Sequence, residues 1–260
     1  MQKLGVHGGH NGPNLGVVEM TVALHAVFDS PTDKIIYDVS HQSYVHKMLT
    51  GRAQAFLDPA HYDDVSGYTN PKESDDDFFS IGHTSTSLAL ASGFIKARDV
   101  LGNHENIVAV IGDGSLSGGL AYEGLNNVVT ENSNAIVIVN DNDQSIAKNP
   151  TGGIYTALRK LRESNGQAED NFFTALGYEY HYLADGNDLD QLIALFKRRA
   201  SRIPITRFSC TFKPKRGTAL LRPKPTTKSS TPAAQSTSRP VTTRGLANRR
   251  GKLTTPSCPT

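Results

Sequence analysis

The chain has 260 residues, 37% of them hydrophobic and 20% charged, which is typical of a globular protein with one sizeable domain or two small ones. It contains no apolar run of the ~18–20 residues that a transmembrane helix requires, and no apolar signal segment follows Met1. Its two cysteines, Cys210 and Cys258, cannot form a disulfide framework. We therefore expect a cytoplasmic protein that has no membrane partner.

The net charge of +2 averages two unlike parts of the chain. From Arg199 to Thr260 there are 14 Lys or Arg residues and no Asp or Glu, whereas residues 1–198 contain 13 basic and 25 acidic residues. The basic part also lacks apolar periodicity and is rich in Thr, Ser and Pro, a composition that cannot build a core. We predict a folded domain at residues 1–200 and a disordered basic tail at residues 201–260.

Short apolar runs alternate with amphipathic segments over residues 1–198, as expected for βαβ units around a parallel sheet. In chain order the predicted elements are helix Val17–Phe28, strand Lys34–Tyr37, helix Thr84–Leu101, strand Ile107–Ile111, helix Leu120–Thr130, strand Ala135–Val139, strand Tyr178–Tyr182 and helix Asp188–Arg199. Loops are predicted at Asn149–Gly153 and Glu163–Asp170. The predicted fold class is α/β, with a doubly wound and mainly parallel sheet.

Two polar motifs directly follow predicted strands, Gly112-Asp113-Gly114-Ser115 and Asn140-Asp141-Asn142. The carboxyl ends of parallel strands meet at the edge where open α/β sheets bind ligands. Asp113 and Asn142 would offer a carboxylate and an amide oxygen, which suit a hard cation such as Mg²⁺. Gly114 and Ser115 lack bulk, so backbone N–H groups at the start of the next helix could approach a diphosphate. Each motif alone also fits a tight turn, but the 27 residues between Gly114 and Asn142 match the spacing of a thiamine-diphosphate signature.

Four segments, in order, resemble the N-terminal domain of the 1-deoxy-D-xylulose-5-phosphate synthase family. They are GGHNGPNLGVVEMTVALHAVFDSPTDKIIYDVSHQSYVHKMLTGR, SIGHTSTSLALASG, VIGDGSLSGGLAYEGLNN and NDNDQSIAKN, and they lie within residues 5–150. The resemblance implies a transketolase-like fold that uses thiamine diphosphate and Mg²⁺. It also implies decarboxylation of pyruvate and transfer of the two-carbon fragment to glyceraldehyde 3-phosphate, by a homodimer, in isoprenoid precursor and thiamine synthesis.

Matched by motif, the resemblance assigns the metal site and the diphosphate contacts. Asp113 and Asn142 would bind Mg²⁺ together with the backbone carbonyl of Gln144, a position where the family usually has Met. A backbone oxygen donates whatever the side chain is, so we expect Gln144 to preserve metal binding. Gly114, Ser115 and Asn142 would contact the diphosphate.

The resemblance also assigns residues along the rest of the cofactor. Gly82, His83 and Thr84 match the family's Gly-His-Ser and would lie along thiamine diphosphate, together with His41. His10 and His41 are the implied catalytic residues. An imidazole near the reacting centre can donate to a substrate carbonyl or move a proton near neutral pH.

The resemblance further implies that parts of the family's active site lie outside this chain, because members are more than twice as long and carry a pyrimidine-binding domain. We therefore expect a catalytically incomplete fragment. Two alternatives stay open: a half-subunit of a split transketolase-like enzyme, and a non-catalytic binding module whose basic tail binds nucleic acid. For the tail itself, an unselected solvated segment is favoured over a nucleic-acid partner.

We expect the tail to be a frameshift product. A shifted frame through suitable codons for Lys213–Lys224 spells Thr-Lys-Lys-Gly-His-Gly-Phe-Ala-Pro-Ala-Glu, which resembles the segment that follows this domain in the family. A frameshift would explain the missing acidic residues, the lost periodicity and both cysteines. The nucleotide sequence around codons 198–206 tests this expectation.

The histidines also raise a zinc site as an alternative, with His7/His10 and His41/His46 as ligand pairs. We reject zinc because no cysteine lies in residues 1–198 and the spacing fits no compact tetrahedral set. The acidic run Asp75–Asp77 is predicted to be a solvated loop.

Overall fold

A five-stranded parallel sheet forms the centre of the computed structural model, which describes residues 3, 7–130, 134–143, 152–200 and 208–212. The strands are β1 (Lys34–Tyr37), β2 (Ile107–Gly112), β3 (Ile136–Asn140), β4 (Glu179–Leu183) and β5 (Phe208–Phe212). Their order across the sheet is β1-β2-β3-β5-β4, and every neighbouring pair is parallel. The α-helices in the described ranges are α1 (Asn11–Leu15), α2 (Val18–Val27), α3 (Tyr44–Lys47), α4 (Gln54–Leu57), α5 (Ser87–Leu101), α6 (Gly119–Thr130), α7 (Ile154–Glu163), α8 (Phe172–Ala175) and α9 (Leu189–Ala200). A π-helical turn at Met48–Arg52 and 3₁₀ turns at Pro59–Asp64 and Ser115–Ser117 complete the helical segments of these ranges.

Helices cover both faces of the sheet, which confirms the predicted doubly wound α/β fold. Successive side chains of a strand point to opposite faces, and β2 shows this directly. Ala109 and Ile111 belong to a buried cluster with residues of α5, α6 and α7, whereas Val108 and Val110 belong to a second cluster with residues of α2 and α9. A strand buried on both faces must be apolar throughout, as the sequence IVAVI is.

Helices α5 and α6 pack unusually closely at one glycine. A Cβ built on Gly124 would lie 2.6 Å from the Cβ of Leu88 and 2.7 Å from the backbone nitrogen of Ala89. Only a residue without a side chain lets the two backbones approach this far. This contact holds the start of α5 against α6, and both helices begin at the carboxyl edge of the sheet.

Two elements differ from the sequence predictions. Helix α7 (Ile154–Glu163) covers residues for which the sequence predicts no helix or strand. It ends at Glu163, the first residue of the predicted loop Glu163–Asp170. Strand β5 (Phe208–Phe212) lies within the segment predicted to be a disordered tail. The physical reason is the unfilled position between β3 and β4, where a short β-prone segment pairs its backbone with both neighbours.

Several predictions concern residues outside the described ranges. They include Gln144, residues 201–207 and the basic tail beyond residue 212, together with the frameshift and nucleic-acid hypotheses for that tail. Within the described ranges, no helix combines the length and apolarity needed to cross a membrane.

Candidate functional site

Asp38, which directly follows β1, joins the carboxyl edge of the sheet to the start of α5. Its Oδ1 accepts hydrogen bonds from the backbone N–H groups of Thr86 and Ser87, at 2.8 and 2.9 Å, and its Oδ2 accepts one from Ser85 at 2.9 Å. A buried carboxylate here satisfies the free N–H groups at the start of α5 and complements the helix dipole. Asp38 thus fixes the start of α5 relative to β1.

Backbone strain accompanies this junction. Val39, Ser40 and Ser85 have φ angles of 60°, 64° and 70°, a region that residues with side chains rarely adopt. The Ser40 hydroxyl donates to the carbonyl of Ile81 at 2.8 Å and accepts from the backbone N–H of Thr69 at 3.0 Å. Such strain clusters where a structure must hold functional groups in place.

Gly82, His83 and Thr84 lie between Ile81 and the start of α5, and all three are exposed. The His83 Nδ1 donates to the carbonyl of Thr84 at 2.8 Å, which places the ring proton on Nδ1. The structure therefore brings the predicted Gly-His-Thr motif to the edge, with its side chains accessible.

His10 and His41 lie side by side, although 31 positions separate them in the chain. Their ring centroids are 5.1 Å apart in an edge-to-face arrangement. The side-chain amide of Asn14 joins the two segments by donating to the carbonyl of His10 at 2.8 Å and to that of His41 at 2.7 Å. The Asn14 Oδ1 accepts from the backbone N–H of Tyr44 at 3.0 Å. One buried asparagine thereby positions both predicted catalytic histidines.

The electrostatic surroundings keep His41 neutral. Burial, followed by the nearby imidazole of His10, lowers the pKa of His41 to about 4. The Nδ1 atoms of His10 and His41 are buried, and neither has a hydrogen-bond partner among the described residues. At neutral pH the His41 ring therefore has one nitrogen able to donate and one able to accept a hydrogen bond.

A cavity of about 260 Å³ adjoins His10. Its lining combines aromatic rings with basic and small residues: Lys3, His7, Gly8, Gly9, His10, Tyr44, Phe56, Tyr62, Asp63, Val65, Ser66 and Gly67. The Lys3 ammonium lies 4.8 Å from the ring centroid of Phe56, and burial lowers its pKa. The cavity gives the His10 ring a space next to it that could accommodate a small molecule.

Asp113 and Asn142 follow adjacent strands at the same edge. Gly112 pairs with Asn140 in the β2–β3 register, and the Asp113 N–H donates to the Asn140 carbonyl at 3.2 Å. Asp113 is buried, with 3% of its surface exposed. The described ranges contain no group of three His, Cys, Asp or Glu residues arranged to hold a metal. One carboxylate and one amide oxygen fit a hard cation whose remaining ligands are other oxygen atoms, such as those of water, phosphate and backbone carbonyls.

Gly114 and Ser115 lie at the entrance to α6. A short 3₁₀ turn at Ser115–Ser117 precedes the helix, and the Ser117 hydroxyl donates to the Gly114 carbonyl at 2.8 Å. The Ser85 hydroxyl donates to the Ser115 carbonyl at 2.6 Å, so the loop after β2 is joined to the start of α5. A Cβ on Gly118 would come within 2.1 Å of that Ser85 hydroxyl.

An ion-pair cluster that sequence reasoning missed holds the loop after β3. Arg162 of α7 contacts both carboxylate oxygens of Asp141, at 2.7 and 2.5 Å, and donates to Asp143 at 2.7 Å. The Asp141 side chain is fully buried, and burial raises its pKa although Arg162 opposes this. The sequence signal for this cluster was an arginine on the helix that follows β3 and its acidic loop, Asp141-Asn142-Asp143.

His41 and His46, one of the two histidine pairs considered as zinc ligands, do not lie in the same cluster. The His46 ring forms hydrogen bonds with His25 at 2.9 Å and with Asp77 at 3.1 Å, so His46 belongs to a different cluster from His41.

The prediction that Asp75–Asp77 is a solvated loop is wrong for Asp77. Its side chain is fully buried because Arg52 pairs with both of its oxygens, at 2.7 and 2.9 Å. The prediction missed it because the paired residues are far apart in sequence.

Comparison with known proteins identifies the family. Residues 1–169 match the family model described as 1-deoxy-D-xylulose-5-phosphate synthase. The synthase 1 of Geobacter metallireducens is 56% identical over 227 residues, which cover 74% of this chain and 36% of the relative. The synthase of Geobacillus thermodenitrificans is 53% identical over 162 residues, which cover 62% of this chain and 26% of the relative. The synthase of Halalkalibacterium halodurans is 41% identical over 233 residues, which cover 76% of this chain and 37% of the relative. The chain therefore spans only about a quarter to slightly more than a third of the length of these relatives. Over the greater part of its own length it belongs to the 1-deoxy-D-xylulose-5-phosphate synthase family.

Proposed function

We propose that this chain provides the diphosphate-binding side of a thiamine-diphosphate and Mg²⁺-dependent synthase that acts on pyruvate and glyceraldehyde 3-phosphate. The observation that carries the proposal is the joining of the loops after β1, β2 and β3 at one sheet edge, through Asp38, Ser85 and the Asp113–Asn140 backbone bond. Family membership supports the proposal, because the family model and the relatives are named for the synthesis of 1-deoxy-D-xylulose 5-phosphate. The substrates and the cofactor are those that the sequence resemblance implies.

The residues at this edge fit the cofactor by their chemistry. Asp113 and Asn142 would hold Mg²⁺ through hard oxygen atoms, and the backbone carbonyl of Gln144 would be a third ligand. Gly114 and Ser115 would present backbone N–H groups to the diphosphate at the entrance to α6. When bound, thiamine diphosphate supplies the electron sink that decarboxylation of a 2-oxo acid requires.

The histidines would handle protons beside the cofactor. His41, held neutral by burial, would donate or accept a hydrogen bond without adding a charge. His10 borders the cavity and would donate to a substrate carbonyl or accept a proton from a hydroxyl. Gly82, His83 and Thr84 would line the cofactor from the start of α5.

Calorimetric titration with thiamine diphosphate tests this proposal. We expect binding in Mg²⁺ and none in EDTA, because the diphosphate contacts depend on the metal. Asp113→Asn should weaken Mg²⁺-dependent binding by about tenfold or more, in the range seen when support of a metal site is lost. Asp190→Asn makes the same change at an exposed position on α9 and should leave binding unchanged. Equal binding in EDTA, or equal binding by Asp113→Asn, would contradict the proposed metal site.

A further inference from the structure

The loop after β3 carries three groups that could attract a cation, Asp141, Asn142 and Asp143. Their order in the sequence does not indicate which of them a metal would use. The structure separates them through Arg162, whose guanidinium engages both aspartates.

The pairing of Arg162 with Asp141 is close and buried. Both carboxylate oxygens of Asp141 contact the Nη1 atom of Arg162, and the Arg162 side chain is itself only 10% exposed. Asp141 Oδ1 also accepts from the backbone N–H of Asp143 at 3.1 Å, which closes a tight turn around Asn142. A buried, charge-assisted contact of this kind fixes geometry as well as charge.

The helix that carries Arg162 is anchored independently of the loop. Ile154, Leu158 and Leu161 of α7 are buried in the cluster that also contains Ala109, Ile111 and Val139 of the sheet. The position of the guanidinium is therefore set by the core, and the loop is held against it.

We infer that Arg162 is a positioning residue for the proposed Mg²⁺ site. It holds the turn that presents Asn142, and it keeps the carboxylates of Asp141 and Asp143 away from the metal. This inference rests on the proposed function, since it assigns Asn142 as the ligand. It adds that the site's affinity for a cation depends on an arginine that does not touch the metal.

Two binding measurements on the full chain separate this role from a merely structural one. Binding of Mn²⁺ alone is followed by the loss of the free-ion electron paramagnetic resonance signal, and Mn²⁺-dependent thiamine diphosphate binding is followed by calorimetry. In Arg162→Met the loop loses its anchor, so we expect cofactor binding to weaken about tenfold, as for other residues that orient metal ligands. The released carboxylates should instead tighten binding of Mn²⁺ alone by about thirtyfold, the effect of one unit charge about 4 Å from a divalent cation in water.

Two further variants complete the experiment. Arg159→Met removes the same charge one turn earlier on α7, where Arg159 is exposed and pairs with Glu163 at 4.0 Å. This variant should change neither affinity. Arg162→Lys keeps the charge but lacks the planar fork, so we expect weaker cofactor binding with unchanged binding of Mn²⁺ alone. Circular dichroism confirms that each variant is folded.

The outcomes are distinct. If both affinities fall together, or if Arg162→Met behaves like Arg159→Met, Arg162 has no positioning role and the inference is overturned. If Arg162→Met does not fold, Arg162→Lys decides by the same two measurements. If the wild-type chain binds no thiamine diphosphate with Mn²⁺, the proposed function fails, and the comparison with Mn²⁺ alone still tests whether Arg162 withholds the aspartates from a cation.

Discussion

Single buried polar residues hold the candidate site together. Asn14 joins the segments of His10 and His41, and Asp38 joins β1 to the start of α5. Neither is among the residues predicted from the sequence to carry chemistry. Both act on backbone groups, which belong to every residue, so a side-chain motif gives little indication of such contacts.

Asn14→Ala should lower the free energy of unfolding by about 2–4 kcal/mol, because two partly buried carbonyls lose their donor and the buried Tyr44 N–H loses its acceptor. Urea denaturation measures this loss. Asn11→Ala is the matched control on the same helix, since the Asn11 side-chain oxygen has no hydrogen-bond partner in the described ranges. A similar loss in both variants would show that Asn14 is not a specific anchor.

Stability should fall as the pH decreases from about 7 to 5. His25 and His41 have pKa values of about 4 in the folded chain, against 6.5 as the ordinary value, mainly because of burial. The unfolded chain therefore binds more protons in this range, which favours unfolding. Urea denaturation at several pH values should show the decline, and the double variant His25→Asn/His41→Asn should reduce it.

His61→Asn is the control with the opposite sign. Asp64 raises the pKa of the exposed His61 through a hydrogen bond at 2.7 Å, so His61 favours the folded state at low pH. Its removal should make the decline slightly steeper. A decline that is unaffected by His25 and His41 would show that other groups cause it.

At the scale of elements, the close packing of α5 and α6 leads us to expect opposite effects on stability when two glycines of these helices are replaced by alanine. Gly124→Ala should destabilise the protein by about 1–3 kcal/mol, because the new methyl group would overlap Leu88 and Ala89. Gly93→Ala, in α5, meets nothing within 4 Å and should stabilise it by about 0.5–1 kcal/mol through helix propensity. Thermal unfolding of both variants checks the pair, and equal effects would refute the close packing.

The apolar pattern of the sequence correctly predicted the elements whose buried positions recur regularly along the chain. Strands β1, β2 and β3 lie within one or two residues of their predicted bounds, because a strand covered on both faces must be apolar. Helix α7 was missed since its polar residues outnumber the buried Ile154, Leu158 and Leu161. Its buried positions depend on contacts with the sheet, which are not visible in a local pattern.

At the scale of the whole molecule, β5 connects the two parts of the sheet. It pairs with β3 on one side and with β4 on the other. The predicted site residues at the sheet edge follow β1, β2 and β3, so their placement could be anticipated from strand order alone. The positions of the Arg162 cluster and the His46–Asp77 cluster could not be anticipated in this way, because each cluster joins side chains from separate elements.

A chain that ends at Arg207 should lose the pairing of β4 while keeping that of β1 with β2. Hydrogen exchange followed by mass spectrometry should show faster exchange across Glu179–Leu183, since β4 pairs with the sheet through β5. A chain that ends at Leu220 retains β5 and should keep the protection of the full-length protein. Unchanged exchange in the shorter chain would contradict the pairing of Phe208–Phe212.

The position of β5 also determines the order in which the sheet can be completed during synthesis. A ribosome releases β1, β2, β3 and β4 before the strand that fits between the last two. Until Phe208–Phe212 emerges, β3 and β4 each present an open row of backbone donors and acceptors that could pair with another nascent chain. Slow translation at the stage when β4 has left the ribosome and β5 has not would therefore prolong an aggregation-prone intermediate, whereas slow translation before β2 has been synthesised would not.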